Sequence, residues 1–164
     1  GVPSTVQAVQ NNAQANIYGF EAGFQARLAK DIEITSQFSL TKGRQKNTHN
    51  TEVPVRHVAP AFGNAHLIWK HKKITLDGFI NYSAGLSYKD ISHELSNHLF
   101  AIDANGNPYA PAWMTFNIRA QYQFTDTLSF VSALENISNE GYRPFASGIS
   151  GPGTHLIFAI TYKN

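Results

Sequence analysis

The stretch "ANIYGFEAGFQARLAKDIEITSQFSL", residues 15–40, decides the fold. From Tyr18 onward, Tyr18, Phe20, Ala22, Phe24, Ala26 and Leu28 are apolar, while Gly19, Glu21, Gly23, Gln25 and Arg27 between them are polar or glycine. Successive side chains of a strand point to opposite faces, so strict alternation over this length predicts an extended strand with one greasy and one wet side. The greasy side faces either a protein core or lipid, and the rest of the chain has to decide which.

The same period recurs outward from this stretch. Past the break "AKD", Ile32, Ile34, Phe38 and Leu40 share one face and Glu33, Thr35, Gln37, Ser39 and Thr41 the other. A polar loop, "GRQKNTHNTEVPVRHVAP", separates these from a strand over residues 62–70 with Ala65, Leu67 and Trp69 against Asn64, His66 and Lys70. "HKK" turns into a fourth strand, where Ile74, Leu76, Ile80 and Tyr82 oppose Thr75, Asp77, Asn81 and Ser83, and Phe79 breaks the pattern. After a long loop containing "DANGNPYAP", Met114, Phe116, Ile118, Ala120, Tyr122 and Phe124 give the cleanest stripe. "TDT" leads to a strand bearing Leu128, Phe130 and Leu134, and the loop "ENISNEGYRPFASGISGPG" to a last one bearing Leu156, Phe158, Ile160 and Tyr162. No helical period is present. The sequence predicts an all-β, antiparallel, up-and-down sheet of about seven strands.

Two features choose lipid over core. The connections alternate between very short and long, as in outer-membrane barrels with tight turns at one end and long loops at the other. Sandwich hairpins are short at both ends. The strands are also long enough to cross, tilted, a hydrocarbon layer of about 25 Å. Tyr18, Trp69, Tyr82, Tyr122 and Tyr162 fall near the ends of the apolar stripes, where amphipathic rings suit a headgroup zone. The chain's 164 residues contain no cysteine, which removes disulfides and thiolate metal sites, and its net charge of +2 gives no footprint for nucleic acid. No unbroken apolar run approaches the ~20 residues of a membrane helix. The reading is a transmembrane β-barrel segment with its polar stripe toward a lumen.

Several motifs are more specific. "IYGFE", "VAPAFGNAHLIW", "GNPYAPAWMTFNIRAQYQFTDTLSF", "LENISNEGYRPF" and "SGPGTHLIFAITYKN" occur in order and cover most of the chain. Together they resemble the C-terminal half of TonB-dependent outer-membrane receptors, with a flavour similar to those of Bacteroidota. Thr154 stands where that family usually has arginine, and Asn164 where it usually has a terminal aromatic. The resemblance implies a barrel of about 22 strands, an N-terminal plug domain and a TonB-contacting segment. On that footing residues 1–14 are expected to be an extracellular loop remnant, and residues 15–164 the C-terminal part of the barrel. The implied function is TonB-dependent uptake, across the outer membrane of a Gram-negative bacterium, of a scarce solute such as an iron-siderophore or similar chelate. The implied partners are outer-membrane lipid, the plug, the TonB complex and the extracellular chelate. The alternative is a small self-contained eight-stranded barrel with an adhesion or structural role, which requires a further strand in residues 1–14.

Candidate lumen-facing residues are Glu21, Arg27, Glu33, Asp77, Arg119 and Glu135. Carboxylates among them sit on different strands with no organised base or nucleophile, so no enzyme and no cofactor is expected. Of the seven histidines, His49 and His57 share one loop and His93 and His98 another; their spacing matches no compact metal motif. Tyr88, His93, His98 and Tyr109 are candidates for contact with a ligand arriving through the loops, while Phe100 and Trp113 are expected at the barrel rim beside them.

Overall fold

A computed structural model of the chain describes residues 14–47, 49–92 and 99–163. Among the described residues ten strands appear: β1 (Ala15–Ala29), β2 (Ile32–Lys46), β3 (Glu52–Pro54), β4 (Phe62–His71), β5 (Ile74–Ser83), β6 (Ala101–Ile102), β7 (Pro108–Tyr109), β8 (Trp113–Gln123), β9 (Leu128–Glu135) and β10 (His155–Tyr162). The main sheet runs β1-β2-β4-β5-β8-β9-β10, with every neighbour antiparallel, so the chain meanders up and down as its alternation predicts. β1 and β10 are its two outer strands and do not pair with each other, which leaves the sheet open, a piece of a barrel.

Alternation places odd-numbered residues of β1, β2, β5, β8, β9 and β10, with even-numbered residues of β4, on one face; registers such as Thr35↔His66, Asp77↔Arg119 and Ala133↔Ile157 follow from it. Burial on the two faces is the reverse of that in a water-soluble sheet. Asp77, Ser83, Thr115, Asn117 and Ser129 are buried on the polar face. Phe20, Phe24, Leu67, Phe116, Leu156, Phe158 and Ile160 stand in the open on the other, from 51% to 74% exposed. Phe79, off the stripe in sequence, points to the polar side and is buried there.

Strand length suits a membrane. β4 and β5 each have 10 residues and β8 has 11; at ~3.3 Å per residue and a tilt near 40° they rise about 25 Å. Trp69, Tyr122, Phe124 and Tyr162 collect at the end where the turns are short, Tyr122 and Phe124 edge to face at 4.7 Å. Tyr82 lies across the neighbouring Gly63, whose missing side chain is required. A Cβ there would come within 2.2 Å of the Gln37 carbonyl and 2.6 Å of the Tyr82 hydroxyl.

The turns are built locally. Lys72, in the left-handed region at φ 51°, closes β4 onto β5. The hydroxyl of Thr125 accepts from the Leu128 amide at 3.0 Å between β8 and β9. Residues 47–61, 84–112 and 136–154 connect strands at the opposite end. Here the structure departs from the sequence expectation. "GRQK", assigned to a loop, extends β2, and β3 folds back on it in the register Arg44↔Pro54. Trp113, expected at the rim, opens β8 at the loop end, so it sits on a strand there rather than in the loop. Phe100, also assigned to the rim, is buried with Ile91 in a small cluster with Leu86, Leu99, Ala110 and Phe145. Short pairings such as β3 and β6–β7 have too few residues to show a period, and a long-range contact such as Phe100 with Phe145 leaves no trace in local patterning.

Candidate functional site: the polar wall and its mouth

The six charged residues singled out from the sequence all lie on the polar face of the sheet. Near the short turns, Glu33 accepts from Lys70 Nζ at 3.1 Å and from the Gln25 amide, with Arg27 opposite it in register. Higher up, a band crosses from β4 to β10. His66 Nδ1 meets both carboxylate oxygens of Asp77 at 3.0 and 3.1 Å, and its ring stacks on Phe79 at 4.9 Å. The Arg119 guanidinium lies 5.1 Å from the same Phe79 ring. Arg119 Nη2 reaches Glu135 Oε1 at 3.7 Å, and Glu135 Oε2 reaches His155 Nε2 at 3.6 Å. Phe79 is thus the apolar spacer of a polar wall, with the His66 ring stacked on it and the Arg119 guanidinium over its face. Its break in the alternation was the sequence signal for this role. Glu21 stands apart, accepting weakly from Ser39 at 3.4 Å.

At the loop end the wall becomes a hollow of about 830 Å³. Glu21, Asn64 and Asn81 contribute polar groups from the strands, and Trp113, Tyr142 and Phe145 form an aromatic side. Glu21 is the one charged residue among the described residues that line it. Tyr142 and Phe145 come from the connection between β9 and β10, and sequence reasoning did not select them. Tyr142 packs on Trp113 with ring centres 4.4 Å apart, and Phe145 packs on Phe100 at 5.9 Å.

That connection is tied down by asparagines. Asn117, buried on β8, donates to the Phe79 carbonyl at 3.2 Å and accepts from the Asn136 amide at 2.9 Å. Asn136 and Asn139 both take the left-handed conformation, φ 51°, which asparagine tolerates better than most residues. Thr154, where arginine was expected from the resemblance, donates its hydroxyl to the Asn136 carbonyl at 2.8 Å. It closes the two ends of the loop on each other.

A family model, "TonB dependent receptor-like, beta-barrel", matches residues 1–137. The chain belongs to that family. Comparison with curated proteins gave no match. Among solved structures, "Copper transporter OprC" superposes with a TM-score of 0.76 at 12% identity, over 90% of this chain and 23% of that one. The siderophore receptor PiuA from Acinetobacter baumannii gives 0.60 at 13% identity, over 90% and 22%. The ferripyoverdine receptor of the outer membrane of Pseudomonas aeruginosa, bound to ferripyoverdine, gives 0.57 at 17% identity, over 90% and 19%. This chain therefore spans about a quarter or less of the receptors it superposes on, and the open β1 and β10 edges are those of a TonB-dependent receptor barrel seen in part. The family consists of transport receptors rather than enzymes.

Within this receptor barrel the loop candidates separate. Tyr88 is exposed in a short 3-10 turn (Tyr88–Asp90), and Tyr109 is half-buried at the end of the β6–β7 hairpin. Neither lines the hollow beneath Tyr142. His93 and His98 lie outside the described residues, as does most of the 1–14 segment. Among the described residues no three His, Asp or Glu side chains converge on a point that would hold a metal ion.

Proposed function

We propose that the chain forms part of the wall of an outer-membrane receptor that imports a metal chelate, of the iron-siderophore class, under TonB-transmitted force. The observation that carries the reading is the reversed burial of the sheet: asparagine, aspartate, serine and threonine inside, phenylalanine, leucine and isoleucine outside. A monomeric soluble protein rarely leaves so large an apolar face in water, whereas hydrocarbon is its natural solvent. The polar face then borders a lumen, where Glu21, Arg27, Glu33, Asp77, Arg119 and Glu135 meet a plug domain or the solute path. Loop residues including Tyr88, His93, His98 and Tyr109 first meet the chelate. TonB acts on the plug, and the wall is the fixed frame around it. The metal cargo is supported by the structural neighbours, whose names refer to copper, siderophores and ferripyoverdine.

Uptake of a panel of labelled ferric and cupric chelates by cells carrying the whole receptor tests this. Uptake of one chelate should vanish on deletion of the receptor gene or of tonB and return on complementation. Tags at Asn47, Asn105 and Ser147 should be reached from outside the cell, and tags at Lys72 and Asp126 should not. TonB-independent uptake, or uptake of every chelate unchanged by the deletion, defeats the proposal, and labelling of the second set of tags reverses the orientation.

A further inference from the structure

One buried side chain outside the charged band ties the wall to the loop between β9 and β10. Asn136 is 2% exposed and sits where β9 ends, one residue past Glu135. Its Nδ2 donates to the carbonyls of Glu140 and Pro152, each at 2.9 Å, and its Oδ1 accepts from the Glu140 amide at 2.8 Å. Both amide hydrogens are used, and they join the two limbs of the loop. The backbone of the same residue is held as well: its amide by Asn117 on the wall, its carbonyl by the Thr154 hydroxyl and by the Asn139 amide. Asn139 then accepts from the Thr154 amide at 3.1 Å.

What this node holds in place is Tyr142. The Gly151 amide donates to the Tyr142 carbonyl at 2.8 Å, and the tyrosine ring lies flat over Gly151, where a Cβ would come within 2.2 Å of ring carbon. On its other side the ring meets Trp113. The tyrosine is thus clamped between the loop's return limb and the wall. The return limb is carried by Pro152, whose carbonyl Asn136 binds.

We propose that Asn136 is a positioning residue for solute binding: it fixes the Trp113–Tyr142 pair at the mouth of the hollow, in the geometry that a planar or apolar part of the solute packs against. The proposal rests on the receptor reading above. The loop between β9 and β10 is then a preformed surface rather than a closing lid, and the ordering of its aromatics is complete before the solute arrives.

The test uses the whole receptor. Asn136→Asp keeps the shape and the acceptor but removes both donors. Asn136→Gly keeps the left-handed backbone and removes the clamp. Thr154→Val removes one hydrogen bond, and Ile149→Ala, on the exposed tip of the same loop, is the control. Both Asn136 variants should raise the KM for chelate uptake by roughly five- to thirty-fold, with Vmax and receptor abundance in the membrane unchanged, and Thr154→Val should raise it less. Hydrogen exchange at residues 141–151 of the solute-free receptor should speed up in the same order, with Ile149→Ala like wild type. Faster exchange with an unchanged KM overturns the positioning role, and unchanged exchange overturns the clamp itself. A fall in Vmax and abundance without a change in KM in Thr154→Val assigns the node to assembly instead. If wild-type receptor takes up none of the chelates, the receptor reading fails, while the exchange result still decides whether Asn136 holds Tyr142.

Discussion

The strands of the wall and the loops at its mouth are made by one chain under opposite rules. On the wall, Asp77, Thr115 and Asn117 are inside, and Phe116 and Ile118, the neighbours of Asn117 along β8, are outside. In the loops, Ile91 and Phe100 are inside, packed by Leu86, Leu99, Ala110 and Phe145, as in any water-soluble core. The difference identifies the solvent around each region. Apolar side chains go wherever water is absent: for the wall that is beyond its outer face, and for the loops it is beneath their own surface. A single hydropathy average over the chain blends these two signals, which is why the pattern carries the information and the composition does not.

The sharpest way to break the comparison is to place charge on the outer face. Phe116→Arg with Ile118→Arg puts two cations toward hydrocarbon, each at about 2–4 kcal/mol near the midplane, whereas Gln121→Arg on the polar face of the same strand should cost little. Heat-dependent gel mobility of the whole receptor measures folded barrel: the double variant should lose it and Gln121→Arg keep it. Equal losses would mean that both faces are buried in protein. Asn117, although polar and on the inner face, is unsuitable as the mild control, since it is buried and bonded to Phe79 and Asn136.

A smaller effect is expected in the water-solvated region. Ile91→Ala opens a cavity in the loop cluster at about 2–5 kcal/mol, and hydrogen exchange should rise over residues 86–110 while the heat-dependent gel shift of the barrel persists. Loss of the shift would tie the loop core to the wall and erase the distinction drawn here.

The smallest effect is electrostatic. In the hairpin that carries β6 and β7, Asp103 accepts from the amides of Asn107 and Asn105, each at 2.8 Å, and these bonds hold its carboxyl below the usual aspartate range. A carboxylate depressed on folding stabilises the hairpin above its ordinary value and loses that contribution as the pH falls through the lowered one. Asn105 and Asn107 amide exchange should be flat from neutral pH to about pH 4 and quicken below it, after correction for intrinsic rates. Asp103→Asn should flatten the profile.

The residues that were legible in sequence are those whose neighbours are set by the strand period. The stripe from Tyr18 to Leu28 predicted its own strand, and the odd-even rule then placed Glu21, Arg27, Glu33, Asp77, Arg119 and Glu135 on one face. Phe79 was visible as an anomaly, but what it does required His66 and Arg119 from two other strands. Tyr142 and Phe145 were not legible as lining residues, because their places depend on hydrogen bonds between Asn136 and Pro152, sixteen positions apart in the chain. β3 was missed because three residues cannot display a period.

The long antiparallel ladders also have a mechanical meaning. From Ile74↔Tyr122 to Ser83↔Trp113 the bonds between β5 and β8 lie across the strands. A pull along the strand direction loads this ladder in shear, so that all its bonds resist together. A sideways pull would open them in succession, like a zip. The band from His66 through Phe79 and Arg119 to His155 runs in that weaker, circumferential direction. It crosses the same strands whose backbone ladder can be peeled, and links them side chain to side chain.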